Sequence, residues 1–197
     1  LEQLLQTKTS PKLRERALFV LSQSEPPKAR EIVTRAAKGE FNPDLQMKAV
    51  QSLGVYGGGR NRQLLSEIYA SSNDVALKRQ ILHSFMVSGD RDTVLKAARS
   101  ESNPELRRQA IQLLGAMGAG AQLNELYASE SAIENKAQIM QAMFTTGNSA
   151  RLIELAKGEK EPKLRLRAIQ LLGTMNTPQS AEALTSIYSS STEQEVR

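Results

Sequence analysis

The sequence predicts an all-α protein, a right-handed α-solenoid (αα-superhelix) of six stacked helical hairpins with half-repeats at both ends. Three observations carry that prediction. The decapeptide LRRQAIQLLG at 106–115 returns almost unchanged as LRLRAIQLLG at 164–173, 58 positions later, and self-similarity at a fixed period marks a repeat architecture. Within each copy the apolar residues follow a helical period, and no stretch alternates as a strand would. A chain of 197 residues, 40% hydrophobic and 24% charged, also has the apolar content to fill an extended core.

The first helix of each repeat is read from an anchor residue: Leu13, Leu45, Leu77, Leu106, Asn135, Leu164 and Val196, in steps of 32, 32, 29, 29, 29 and 32. Four positions on stand Ala17, Ala49, Ile81, Ala110, Ile139 and Ala168, and eight positions on Leu21, Leu53, Phe85, Leu114, Met143 and Leu172. Offsets of 0, 4, 5 and 8 fall on one face of a helix. Pro11, Pro43, Pro104 and Pro162 lie two residues ahead of their anchors, suiting a first turn, where the missing N–H costs nothing. Asn42 and Asn103 precede two of them as N-caps.

A second helix is read backward from the same anchors. Twelve residues before them lie Leu1, Val33, Leu65, Val94, Leu123, Leu152 and Leu184; nine before lie Leu4, Ala36, Ile68, Ala97, Leu126, Leu155 and Ile187. These offsets hold in repeats of either length, so the difference is expected in the turn between the two helices, at Pro26-Pro27, Gly57-Gly58-Gly59 and Thr177-Pro178. Repeats near 11–42, 43–74, 75–103, 104–132, 133–161 and 162–192 then make a single array over 1–197. A lone hairpin cannot bury both its apolar faces, so neighbours must stack.

A hairpin of about this length whose first helix reads Pro-x-Leu-Arg-x-x-Ala-Ile-x-x-Leu-Gly, fullest at Pro104–Gly115 and Pro162–Gly173, resembles a HEAT repeat of the short bacterial kind, similar to the HEAT-like repeats of phycobilisome lyases. Pro11–Ser22 and Pro43–Gly54 fit with substitutions. The resemblance implies a ladder of basic residues directly after the anchors, here Arg14, Lys78, Arg107, Lys136, Arg165 and Arg197, with Gln46 the exception. It also implies a binding protein, and leaves the ligand open because the family includes scaffolds, transport factors, lyases and DNA-repair proteins.

A two-repeat rhythm lies over the single one. Eight residues before successive anchors stand Ala37, Tyr69, Ala98, Tyr127, Ala156 and Tyr188; seven before stand Lys38, Ala70, Arg99, Ala128, Lys157 and Ser189. Large side chains on one hairpin are expected to meet small ones on the next. The tyrosines read as packing between repeats, or else as a row on which a ligand stacks.

The residues offer little for catalysis, and the chain reads as a non-enzyme without a cofactor. His83 is the sole histidine and there is no cysteine, so disulfides and thiolate metal sites are excluded. The serines cluster at helix ends such as Ser71-Ser72 and Ser189-Ser190-Ser191, where capping explains them. Asp90/Asp92 and Glu159/Glu161 flank helix starts, which the dipole favours. Gly57-Gly58-Gly59-Arg60 lacks the Lys-Ser/Thr ending and the preceding strand of a phosphate loop. No stretch approaches the roughly 18 apolar residues of a membrane span. The start at Leu1, without a methionine, reads as a piece of a longer protein, so neither compartment nor oligomeric state is assigned.

Binding therefore remains, in two classes. One is a protein-interaction scaffold gripping a partner, possibly an acidic one, on the concave surface lined by second helices. The other is nucleic-acid or polyanion binding, suggested by a net charge of +5 and by second-helix cations such as Arg30, Arg62, Arg91 and Arg151. Against the second stand Glu67, Glu125 and Glu154 among those cations, and an aromatic content of 4% without tryptophan. The candidate partner-binding residues are Lys38, Arg99 and Lys157, equivalent positions in alternate repeats, together with Arg35 and Lys96.

Overall fold

A computed structural model of the chain describes residues 1–6, 10–24, 26–56 and 61–190. Among the described residues there are thirteen α-helices and no strand. A short α1 (Glu2–Gln6) is followed by six hairpins, α2 (Pro11–Ser22) with α3 (Pro27–Ala37), α4 (Pro43–Tyr56) with α5 (Arg62–Ser71), and α6 (Val75–Val87) with α7 (Arg91–Ser100). Then come α8 (Pro104–Ala116) with α9 (Gly120–Ser129), α10 (Ile133–Thr145) with α11 (Ser149–Gly158), and α12 (Pro162–Met175) with α13 (Pro178–Ser190). The seventh first helix expected to begin at Glu193–Arg197 lies outside the described residues, as does Gly57–Arg60.

The starts of the first helices follow from local chemistry. Pro11, Pro104 and Pro162 occupy the first turns of α2, α8 and α12, and Pro43 opens α4. Asn103 Oδ1 accepts from the Glu105 and Leu106 amides at 2.9 and 3.2 Å, and Asn42 Oδ1 from the Leu45 amide at 2.9 Å. Where proline is missing, at α6, Asp74 accepts from the Ala76 and Leu77 amides.

The chain divides into two compact units, Leu1–Thr93 and Val94–Arg197, each an all-α stack of solenoid type. In the first, α2, α4 and α6 lie side by side, with α3 packed on α2 and α4, and α5 on α4 and α6. The second repeats the scheme: α8, α10 and α12 are successive neighbours, α9 packs on α8 and α10, and α11 on α10, α12 and α13. The buried residues are those of the helical stripes, Leu18, Leu45, Ile81, Leu82 and Phe85 in the first unit and Leu106, Ile111, Leu114, Leu123 and Ile139 in the second. Leu13 departs from its column and is exposed. Only the five-residue α1 precedes it, whereas each later anchor has a complete hairpin ahead of it.

Two glycines set the distance between first helices. A Cβ at Gly54 would lie 2.4 Å from Ser84 Cβ on α6, and one at Gly115 would lie 2.4 Å from Thr145 Oγ1 and 2.9 Å from the Ala142 carbonyl oxygen on α10. At Gly54 and Gly115 the glycine that ends the repeat motif thus leaves no room for a side chain against the neighbouring first helix.

The turns correct one expectation. The 29-residue repeats turn in three residues, 88–90, 117–119 and 146–148, each with a glycine at φ between 62° and 73° at its centre. Four residues separate α2 from α3 and five separate α4 from α5, but the last hairpin turns in two, Asn176-Thr177. Its extra length lies mainly in α13, which starts at Pro178, six residues before Leu184; α11 starts at Ser149, three before the equivalent Leu152. Proline at the first position of a helix makes that additional turn inexpensive.

Candidate functional site

The second helices carry the candidate residues. Arg35, in the last turn of α3, donates from Nη1 to Glu2 Oε1 and from Nε to Glu40 Oε2, both at 2.7 Å, and its guanidinium lies 5.5 Å from the centre of the Phe41 ring. Lys38 caps the C-terminus of the same helix and is exposed. On α7, Lys96 is exposed, and Arg99 Nη2 meets Glu125 Oε1 of α9 at 2.7 Å. Lys157 is exposed in the last turn of α11. Arg35 and Lys38 belong to the first unit, and Lys96, Arg99 and Lys157 to the second. Two of the five are therefore engaged with carboxylates, while Lys38, Lys96 and Lys157 form no ion pair among the described residues.

Other second-helix arginines are neutralised in the same way. Arg62 Nε meets the buried Asp90 Oδ2 at 2.7 Å, and Arg151 Nη1 meets Glu154 Oε2 at 2.6 Å. Glu125 and Glu154, interruptions in the basic series by sequence, are ion-pair partners in the fold. Arg30 on α3, by contrast, is exposed and forms no ion pair among the described residues.

In three repeats the residue after the anchor reaches the end of the preceding second helix, where backbone carbonyls lack helical partners. Gln46 Nε2 donates to the Ala37 carbonyl at 3.1 Å, Arg107 Nε to the Ala98 carbonyl at 3.0 Å, and Arg165 Nη1 to the Glu159 carbonyl at 3.5 Å. Where the neighbour is tyrosine, a lysine covers its ring: Lys78 Nζ lies 4.8 Å from the Tyr69 centroid and Lys136 Nζ 4.9 Å from that of Tyr127. The alternation of alanine and tyrosine thus decides whether this residue caps a helix or stacks on a ring. Arg14 is half-buried, and Arg197 lies outside the described residues.

The tyrosines are not equivalent. Tyr127 is 3% exposed and donates its hydroxyl to Glu159, Tyr69 is half-buried, and Tyr188 is exposed. Burial, then the hydrogen bond to Glu159, pushes the Tyr127 phenol well above its ordinary value. Tyr127 is accordingly a packing residue.

Glu130, the residue closing α9, meets Arg107 and accepts from the Ser131 and Ala132 amides at 2.8 and 2.9 Å and from Asn135 Nδ2 at 3.1 Å. Burial works to raise its pKa, but these donors and the Arg107 charge prevail and hold it below the ordinary 4.5. A carboxylate with a depressed folded pKa stabilises above its unfolded value and loses that contribution as pH falls through the folded one. Unfolding of the chain in urea should therefore become easier on titration from pH 5 downward across 4.5. Glu130→Gln, with a side chain only 7% exposed to replace, should flatten that dependence while being less stable at neutral pH.

The remaining chemistry-bearing residues are dispersed. His83 is exposed on α6, Asp90 precedes α7, and Glu161 is the N-cap of α12. No group of three or more His, Cys, Asp or Glu side chains among the described residues is placed to hold a metal ion. Among those residues no helix is long and apolar enough to cross a membrane. Compared with known families, the chain matches the model for HEAT repeats over residues 1–85. No curated protein matches it.

Proposed function

The chain carries HEAT repeats over residues 1–85 and the same hairpin onward from there, and from that premise we propose that it is a non-catalytic scaffold, a single functional array that binds a protein partner through the surface lined by its second helices. HEAT repeats are commonly protein-interaction scaffolds, and each exposes helix faces that its own packing does not consume. The observation that carries the reading is the state of the second-helix cations. Arg35, Arg62, Arg99 and Arg151 already face carboxylates, so binding of a polyanion would have to displace those acids. Lys38, Lys96 and Lys157 offer single exposed ammonium groups of the kind that meet individual acidic side chains on a folded partner. Arg35 and Arg99 join them where a partner carboxylate substitutes for Glu40 or Glu125.

Charge reversal tests the proposal. Lys38→Glu, Arg99→Glu and Lys157→Glu together should leave the circular dichroism spectrum intact and abolish retention of partners that the full chain pulls from lysate. Partners retained by a folded triple variant would place the binding surface elsewhere. Titration with random duplex DNA examines the nucleic-acid alternative: the expected result is no binding at low salt, and steep salt-dependent binding would replace the scaffold reading with a polyanion groove.

A further inference from the structure

A second surface stands apart from the second helices. Between α2 and α4 runs an open groove of about 430 Å³, lined by Lys12, Glu15, Arg16 and Phe19 on one side and Lys48 and Val55 on the other. Phe19 is 53% exposed and Val55 59%, so the groove offers apolar surface that folding leaves unused. The three cations against one acid are all exposed, and none forms an ion pair among the described residues.

The repeat pattern makes this groove an exception. Six positions after the anchor, where α2 has Phe19, the other first helices carry Gln51, His83, Gln112, Gln141 and Gln170. Two of those glutamines join neighbouring first helices at the equivalent place. Gln51 Nε2 donates to Gln80 Oε1 on α6 at 3.3 Å, and Arg167 Nη2 on α12 donates to Gln141 Oε1 at 2.7 Å. Between α2 and α4 the corresponding pair is Phe19 and Lys48, which can form no such bond. A half-exposed phenyl contributes little to folding, while a glutamine there would place a hydrogen-bonding side chain opposite Lys48.

We propose that this groove is a docking site for an acidic amphipathic segment of a partner protein. One apolar side chain of the segment packs between Phe19 and Val55, and its carboxylates meet Lys12, Arg16 and Lys48. Charge complementarity selects this occupant: three exposed cations against one acid line a groove whose exposed apolar surface is Phe19 and Val55. The site does not depend on the second-helix surface.

The test is fluorescence anisotropy of a labelled synthetic peptide, Glu and Leu in helical spacing, titrated with the full chain. Saturable binding is expected, and it should weaken roughly tenfold in Phe19→Gln, which removes the buried aromatic contact. Lys48→Glu should weaken it at least as much, and a peptide with Lys in place of Glu should bind more weakly by a similar factor. The Lys38→Glu, Arg99→Glu, Lys157→Glu variant should bind the peptide normally, separating this site from the surface proposed above. The proposal is overturned by absence of saturable binding, or by binding indifferent to Phe19→Gln. It is equally overturned if Phe19→Gln abolishes a concentration-dependent dimer in sedimentation, which would make a second copy the occupant, or abolishes duplex DNA binding. Should Phe19→Gln unfold, Lys48→Glu, a change at an exposed position, decides alone.

Discussion

Tyr127→Ala is expected to lower the stability of the chain by about 3 kcal/mol, read as a shift of the urea midpoint. The ring is 3% exposed, lies under the Lys136 ammonium and donates its hydroxyl to Glu159. Removing it leaves a void between successive hairpins, and truncations of large buried aromatics cost about 3–5 kcal/mol. The low end applies because Glu159 keeps its bonds from the Lys160 and Glu161 amides, so the loss leaves no carboxylate wholly unpaired. Tyr127→Phe separates the two contributions. It keeps the ring and should cost about 1.5 kcal/mol, the lower end for a hydrogen bond to a charged group, because Glu159 keeps its backbone donors. Tyr188→Ala, at an exposed member of the same column, should cost far less. Equal losses at 127 and 188 would show that the burial difference between them is wrong.

What the sequence discloses and what it hides divide along physical lines. Anchor spacing placed first helices near 11, 43, 75, 104, 133 and 162, and they begin at Pro11, Pro43, Val75, Pro104, Ile133 and Pro162, because the stripe and the N-terminal proline or cap are local signals. The pairing of Arg35 with Glu2 or of Arg62 with Asp90 was not legible. It joins residues about one repeat apart through side-chain rotamers, which no periodicity encodes. Columns of core positions disclosed the alternation of alanine and tyrosine. Gln46, Arg107 and Arg165 follow the alanines and Lys78 and Lys136 follow two of the tyrosines, but periodicity does not encode that Arg107 caps a helix while Lys136 covers a ring. Phe19 was legible as the single aromatic in a column of glutamines and histidine, but only its exposure separates a groove from a core.

Gly115→Ala and Gly173→Ala should change stability in opposite directions, although both glycines end the same Leu-Leu-Gly motif. Both lie in helices, where alanine is intrinsically favoured by about 1 kcal/mol. At Gly173 no described atom lies within 4 Å of the added Cβ, so that preference stands and the variant should gain about 0.5–1 kcal/mol. At Gly115 the new carbon would sit 2.4 Å from Thr145 Oγ1, 2.9 Å from the Ala142 carbonyl oxygen and 3.2 Å from Ala142 Cα. The threonine hydroxyl can rotate away, but the Ala142 backbone cannot yield without moving α10 off α8. Overpacking of that kind costs about 1–3 kcal/mol, and because relief requires shifting a whole helix the upper part of the range applies. It exceeds the propensity gain, for a net loss of about 2 kcal/mol. The measurement is a pair of urea titrations monitored by far-ultraviolet circular dichroism. A stabilised Gly115→Ala would mean that α8 and α10 have slack at their crossing, and the glycine would then mark only a weak point in the helix.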